Sequence, residues 1–251
     1  MMKQALIGAT LLLAFSVPAA SQPPGLVVSV AASLYDALVE AAGLYRGAAG
    51  ASVALNPGGS NTLARQIVAG AKVGLFLSAD DIQMDAVEAA GRLVPSTRTA
   101  LVTNTLAVIV PAGSRSTLTL EDLAGSAIAR VAMGEPSSVP AGVYGRRWLE
   151  RERVWNRVLP KVVPFPSVRA VVSAVEAGRV NAGIVYLTDT IGRPNVTVVA
   201  SPPDAVNRDL GISYPAAVVR GPSEAAGRAF LTFLQSPAAR QVFVRRGFGV
   251  P

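Results

Sequence analysis

The chain reads as an α/β protein of two lobes, each a mostly parallel sheet flanked by helices. Three observations predict this. Strand-like and helix-like runs alternate along nearly the whole length, the pattern of parallel α/β sheets. Near residue 129 the pattern starts again, so the halves read as two similar βαβ sets, with no sequence repeat of fixed period. Two β-rich runs, 101–110 and 212–219, stand where the chain would cross between the sets. At 251 residues, 51% hydrophobic and 16% charged, the chain can bury a sizeable core and is not disordered. The expected division is 22–105 with 215–251 for lobe I and 106–214 for lobe II, with a ligand cleft at the carboxyl ends of the strands.

The N-terminus comes first. Lys3, an apolar run over 5–17 and the small-residue exit Val17-Pro-Ala-Ala-Ser21 read as a secretory signal peptide over 1–21, which places the mature chain outside the cytoplasm. The run is too short to span a bilayer comfortably. Cleavage removes one Lys and no acid, so the formal charge falls from +7 to +6. A strand follows at 26–31, then a helix after Ser33 to about Tyr45, ending near Gly47. A short strand at 52–55 opens into the turn-rich Asn56-Pro-Gly-Gly-Ser60, and a helix covers 62–69. Next come a strand at 73–77, a helix at 82–90 and the first crossing run, with Asn104 and Thr105 at its middle. Thr119 and Asp122 form a capping-box pattern before a short helix.

In the second half the strands are 129–133, 161–163, 182–186 and 196–200. Helices are expected at 143–153 and 168–177, and after the second crossing run at 224–234 and 238–245.

The chain has no Cys and no His. That excludes Cys–His and Ser–His–Asp catalysis, zinc sites built on those ligands and the lipidated Cys of a lipoprotein. The basic residues are scattered, which argues against a nucleic-acid surface. Asp80, Asp81 and Glu135 are read as capping or solvated groups, because no third oxygen ligand has suitable spacing for a metal.

Ser33 and Ser60 each follow a strand and precede a helix. A Ser at such a junction caps its helix, beside amides that face the positive end of the helix dipole. A hydroxyl beside unpaired amides is also an anion site. Either role is compatible with the sequence. Tyr186, at a strand end, is open to a core role as well.

Longer motifs narrow the choice. AASLYDAL at 31–38, GGSNTLARQIVAGA at 58–71, LFLSAD at 75–80, AMGEPSSVPAGVYGRRWL at 132–149 and VPFPSVRAVVSAVEAGRVNAGIVYLTD at 163–189, with Gly247-Phe248, resemble the periplasmic molybdate-binding proteins of ABC transporters. The resemblance covers nearly the whole mature chain. It implies a type II periplasmic-binding-protein fold that closes on molybdate or tungstate, no cofactor, no metal coordinated directly by the protein, a monomer, and delivery to an ABC membrane permease. It implies ligand contacts from Ser33, Ser60, the backbone at Ala141 and Val168, and Tyr186. Each of the first four stands where a strand and loop give way to a helix. The chain departs from the family pattern at Gly74, where an Asp is usual, at Glu135, where Gly-Asp-Pro is usual, and at Asn61, where a small hydroxyl residue is common.

Two other readings are open. A receptor for sulfate or another tetrahedral oxyanion uses the same chemistry. A secreted hydrolase with Ser33 or Ser60 as nucleophile would lack a His base, a Gly-x-Ser-x-Gly elbow and a Ser-x-x-Lys motif.

Overall fold

The computed structural model describes residues 25–114 and 117–251. The segment read as a signal peptide, 1–21, lies outside the described residues. The chain runs through β1 (Leu26–Ala31), a 3-10 turn (Ala32–Leu34), α1 (Tyr35–Ala49), β2 (Val53–Gly58), α2 (Ser60–Val68), β3 (Leu75–Leu77), α3 (Asp81–Ala89) and β4 (Thr99–Thr103). After Asn104-Thr105 come β5 (Leu106–Pro111), α4 (Leu120–Ala124), β6 (Val131–Gly134), α5 (Pro140–Arg151), α6 (Trp155–Val158) and β7 (Val162–Phe165). Then follow α7 (Val168–Glu176), β8 (Ala182–Tyr186), a 3-10 turn (Leu187–Thr190), β9 (Val196–Ala200) and α8 (Asp204–Leu210). The chain closes with β10 (Ser213–Val218), α9 (Glu224–Leu234) and α10 (Pro237–Arg245).

The two sheets share one plan. Their orders are β2-β1-β3-β10-β4 and β7-β6-β8-β5-β9. In each, four strands run one way, and the strand next to the far edge, β10 or β5, is reversed. Both reversed strands follow a crossing. A chain that crosses between lobes enters the new sheet from the side where the other strands end, so it must run against them. The expected boundary between 214 and 215 is corrected here. β10 pairs with β4 from Ser213, opposite Thr103, so Ser213 and Tyr214 already belong to the first sheet.

Each sheet is covered on both faces, and alternation along the strands sorts the side chains. On β3, Leu75 and Leu77 face the cluster built with Leu38 of α1, Phe230 of α9 and Phe243 of α10. Phe76 points the other way, to Leu63 and Ile67 of α2 and Met84 of α3. In the second sheet Val108 and Ile184 meet Trp148 of α5, while Ile109 and Val185 meet Val171 and Val175 of α7.

Several expected boundaries shift for local reasons. α1 passes Gly47 and stops only at Gly50, which takes the left-handed conformation at φ 66°. β2 continues through Pro57 into the expected loop, because it is an edge strand and tolerates a missing N–H. α5 starts at Pro140 rather than 143, with Pro in its first turn. The expected capping box at Thr119 and Asp122 is formed. Gly74 has a packing reason: a Cβ there would lie 2.5 Å from Leu26 Cδ1 and 2.9 Å from Ser223 Cβ, so the usual Asp has no room.

Candidate functional site

The carboxyl ends of β1, β2, β7 and β8 and the N-termini of α2, α5 and α7 converge between the sheets. They line a small, partly open pocket. Its walls include Ser33, Ser60, Ala141, Val168 and Tyr186, so all five residues singled out in the sequence come together in one place. The remaining wall residues, among them Gly58, Gly59, Ala79 and Pro140, carry no charge.

Neither Ser caps its helix as expected. The N-cap of α2 is Gly59, in extended conformation, and Ser60 is the first helical residue. Ser33 lies within the 3-10 turn that precedes α1 and makes no capping bond. Both hydroxyls are therefore held by other elements. Ser60 Oγ accepts from the amide of Ala79 at 3.0 Å, which leaves its own proton free to turn into the cavity. Ser33 Oγ lies 3.0 Å from the hydroxyl of Tyr214. That hydroxyl accepts from Asn104 Nδ2 at 3.2 Å, and the same amide group reaches Thr188 Oγ1 at 2.9 Å. Either of the two hydroxyls can donate; when Tyr214 donates, Ser33 is free to direct its own hydrogen inward. Tyr214 and Asn104 were not singled out in the sequence. Tyr214 lies on β10 and Asn104 between β4 and β5, stretches that showed only β pattern in the sequence.

The amides of Ser60 and Asn61, of Ala141 and Gly142, and of Val168 and Arg169 occupy first turns, where N–H groups have no partner within the helix. Ser167 caps α7, accepting from the amide of Ala170. Tyr186 is buried, and its hydroxyl donates to Ala79 O across the cleft at 3.4 Å. Burial holds the Tyr186 and Tyr214 phenols well above the usual tyrosine range, so both remain protonated donors.

Two carboxylates stand behind the wall. Burial raises Asp80 to about 6, partly offset by its cap bond from the amide of Gln83 at 2.9 Å and by Ser78. Its role is thus capping, though buried rather than solvated. Burial raises Asp189 to about 7, partly offset by the bond that it accepts from the amide of Tyr186 at 3.0 Å. Asp81 pairs with Arg98 at 2.6 Å, and Glu135 accepts from Ser137 Oγ at 3.1 Å.

The lobes touch across the cavity. Asn61 Nδ2 donates to Ser138 Oγ at 3.1 Å, so the departure at Asn61 creates a bond between the lobes. Gly59 lies so close to the other lobe that a Cβ there would stand 2.4 Å from Pro166 O.

Two lobes of this shared topology, meeting around a small uncharged pocket at their strand ends, define a type II solute-binding protein. The chain belongs to the bacterial extracellular solute-binding protein family, whose model matches residues 26–249. It is 34% identical to the molybdate-binding protein ModA of Escherichia coli (strain K12), with 97% of this chain and 96% of that protein covered. It is 33% identical to ModA of Haemophilus influenzae, with 88% of each covered. Among solved structures, the periplasmic molybdate-binding protein of Azotobacter vinelandii superposes with a TM-score of 0.80 at 23% identity, over 90% of this chain and 99% of that one. The sulfate-binding protein SubI of Mycobacterium tuberculosis superposes with a TM-score of 0.74 at 17% identity, over 89% and 86%. The last two likenesses concern the fold alone.

Proposed function

We propose that this protein is a non-enzymatic periplasmic receptor that captures molybdate, and tungstate with it, and delivers it to the permease of an ABC transporter. The observation that carries the reading is the uncharged cavity lined by Ser33, Ser60, Ala141, Val168 and Tyr186, into which three helix N-termini open. Hydroxyls, first-turn amides and a protonated phenol all present hydrogens to a fully deprotonated dianion. The lobes meet at 105/106 and just before Ser213, which serve as the hinge.

The donor set also sets selectivity. No wall residue is a carboxylate. A proton on phosphate would therefore face donors, a buried conflict of about 1–3 kcal/mol. Sulfate has the right charge but is smaller, and hydrogen bonds stretched to reach it weaken with distance. The test is calorimetric titration of the protein lacking residues 1–21 with molybdate, tungstate, sulfate and phosphate, beside a chromogenic ester assay. Molybdate and tungstate should bind alike, sulfate much more weakly and phosphate not measurably. Sulfate displacing molybdate at comparable concentration would move the assignment to a sulfate receptor, and ester turnover abolished by Ser33→Ala or Ser60→Ala would move it to a hydrolase.

A further inference from the structure

α1, which follows the turn that holds Ser33, and α7, which starts at Val168, carry a second contact just outside the pocket. Asp36 is the second residue of α1, and Arg169 is the second residue of α7. Arg169 Nη2 meets Asp36 Oδ1 at 2.5 Å across the cleft. The same guanidinium lies over the ring of Tyr35, 4.5 Å from its centroid. Arg169 thus leaves lobe II and is held on lobe I by an ion pair and a cation–π contact together. The pair sits at the mouth, not in the core: the side chains are 34% and 56% exposed. Both line a neighbouring pocket that shares Ser33 with the first.

From this we infer that Asp36 and Arg169, with Tyr35, form a latch that sets how long the closed cleft holds its anion. The inference rests on the receptor function proposed above. Neither side chain lines the pocket at the helix N-termini, so they act as positioning residues and not as ligands. Their place explains the effect. Each stands within one turn of a residue that faces the anion, so Ser33 and Val168 cannot separate while the pair is made. Opening must break it before the helix ends part. Asn61 and Ser138 join α2 to the loop before α5 in the same way, but through a neutral bond. Only the Asp36–Arg169 side responds to salt.

The latch therefore belongs to release and not to capture. An exposed ion pair with a cation–π contact corresponds to a change of about three- to thirty-fold in the release rate. The experiment measures dissociation of isotopically labelled molybdate, chased with unlabelled molybdate, from wild type, Asp36→Ala, Arg169→Ala and the double variant. Each single variant should release faster by that factor, with no slower association for Asp36→Ala. The double variant should release no faster than the quicker single one, because the two side chains share one interaction. Arg169→Lys keeps the charge but loses the planar stack on Tyr35, so it should fall between. Raising salt should speed release from wild type and leave Asp36→Ala nearly unchanged.

A second arm needs no ligand. The chain has no cysteine of its own, so dyes can be placed at Ile82→Cys on α3 and Leu159→Cys in lobe II, both exposed. In the anion-free protein, Asp36→Ala should shift the distance between dyes toward the open form. Wild-type release and an unchanged distance in Asp36→Ala would overturn the latch, as would single effects that simply add in the double variant. A wild type that binds no molybdate at all would instead overturn the receptor reading, and the dye arm would still judge the latch.

Discussion

Replacing Gly59 by Ala should separate folding from binding. Gly59 has φ −64° and ψ 132°, a conformation that Ala adopts without strain. Within lobe I the change should therefore be neutral, or stabilising by about 0.4–1 kcal/mol through the unfolded chain. Across the cleft the added methyl would stand 2.4 Å from Pro166 O, and within lobe I it would stand 2.8 Å from Asn61 Oδ1. Asn61 can rotate away, but the carbonyl is backbone at the entry to α7. It must retreat by roughly 0.6 Å before the contact reaches even 3.0 Å, and the adjoining Val168 retreats with it. Overpacking of this kind costs about 1–3 kcal/mol, and here it falls only on the closed form. Affinity for molybdate should drop about five- to 150-fold, with an unchanged or slightly raised melting temperature in the absence of anion. Calorimetric titration and thermal unfolding of the same preparation check both halves. Wild-type affinity in a normally folded variant would refute the idea that these lobes must come this close, and a large loss of stability without ligand would refute the assignment of the clash to closure.

The same titration tests the hydroxyls. Ser33→Ala and Ser60→Ala should each weaken molybdate binding about ten- to a hundredfold, since a hydrogen bond to a charged group is worth about 1.5–3 kcal/mol. Tyr214→Phe should weaken it about two- to tenfold by freeing Ser33 to turn, and equal binding would show that Tyr214 does not orient Ser33. Asp80→Asn should flatten the pH dependence of stability. Asp80 is raised to about 6 in the folded protein from 3.8, so the native state holds the extra proton between these values. Stability is then favoured at low pH and falls as pH climbs through about 6, by about 3 kcal/mol at most. Asn keeps the capping oxygen without the charge, so urea unfolding between pH 5 and 8 should show a smaller decline, with the rest due to Asp189. An unchanged decline would assign the effect elsewhere.

Much of the architecture was legible because it is periodic. The bounds of the strands at 26–31, 182–186 and 196–200 and of the helix at 224–234 were read directly. Two kinds of feature were not. Short polar elements escaped: α8 buries only Val206 and Leu210 and is otherwise Asp, Asn, Arg and Ala, although Gly211, left-handed at φ 61°, was a stop signal in plain view. Long-range relations escaped as well. That β10 and β5 run backwards, and that Tyr214 lies against Ser33, 181 residues away, follow from the crossings and not from any local pattern. The five candidate residues, which line one pocket, were named through motif resemblance, and the physical reading attached to them was half right. The strand-to-helix junctions do converge, but the two serines are not caps. A cap hydroxyl is occupied by its own helix, and displacement by one residue, with Gly59 as cap, is what releases Ser60.

In the proposed receptor an uncharged pocket holds a dianion, so the attraction must come from neutral donors. The donors come from both lobes: the turn at Ser33 and the start of α2 from one, the starts of α5 and α7 and Tyr186 from the other. An anion resting on one lobe has only half of them. Two further helix ends contribute about 0.3–1 kcal/mol each, and up to about 2 in partly buried geometry, while each bond to a charged group contributes about 1.5–3 kcal/mol. Turning an equilibrium from 1:99 to 99:1 requires about 5.5 kcal/mol. Two helix ends and two such bonds from the second lobe reach that figure without an arginine in the cavity. A cation fixed in one lobe would bind the anion in the open form nearly as well as in the closed one, and so would bias closure less. Splitting neutral donors between the lobes makes the anion itself the difference between open and closed, while the guanidinium of Arg169, the one that ion-pairs across the cleft among the described residues, is spent on Asp36 at the mouth.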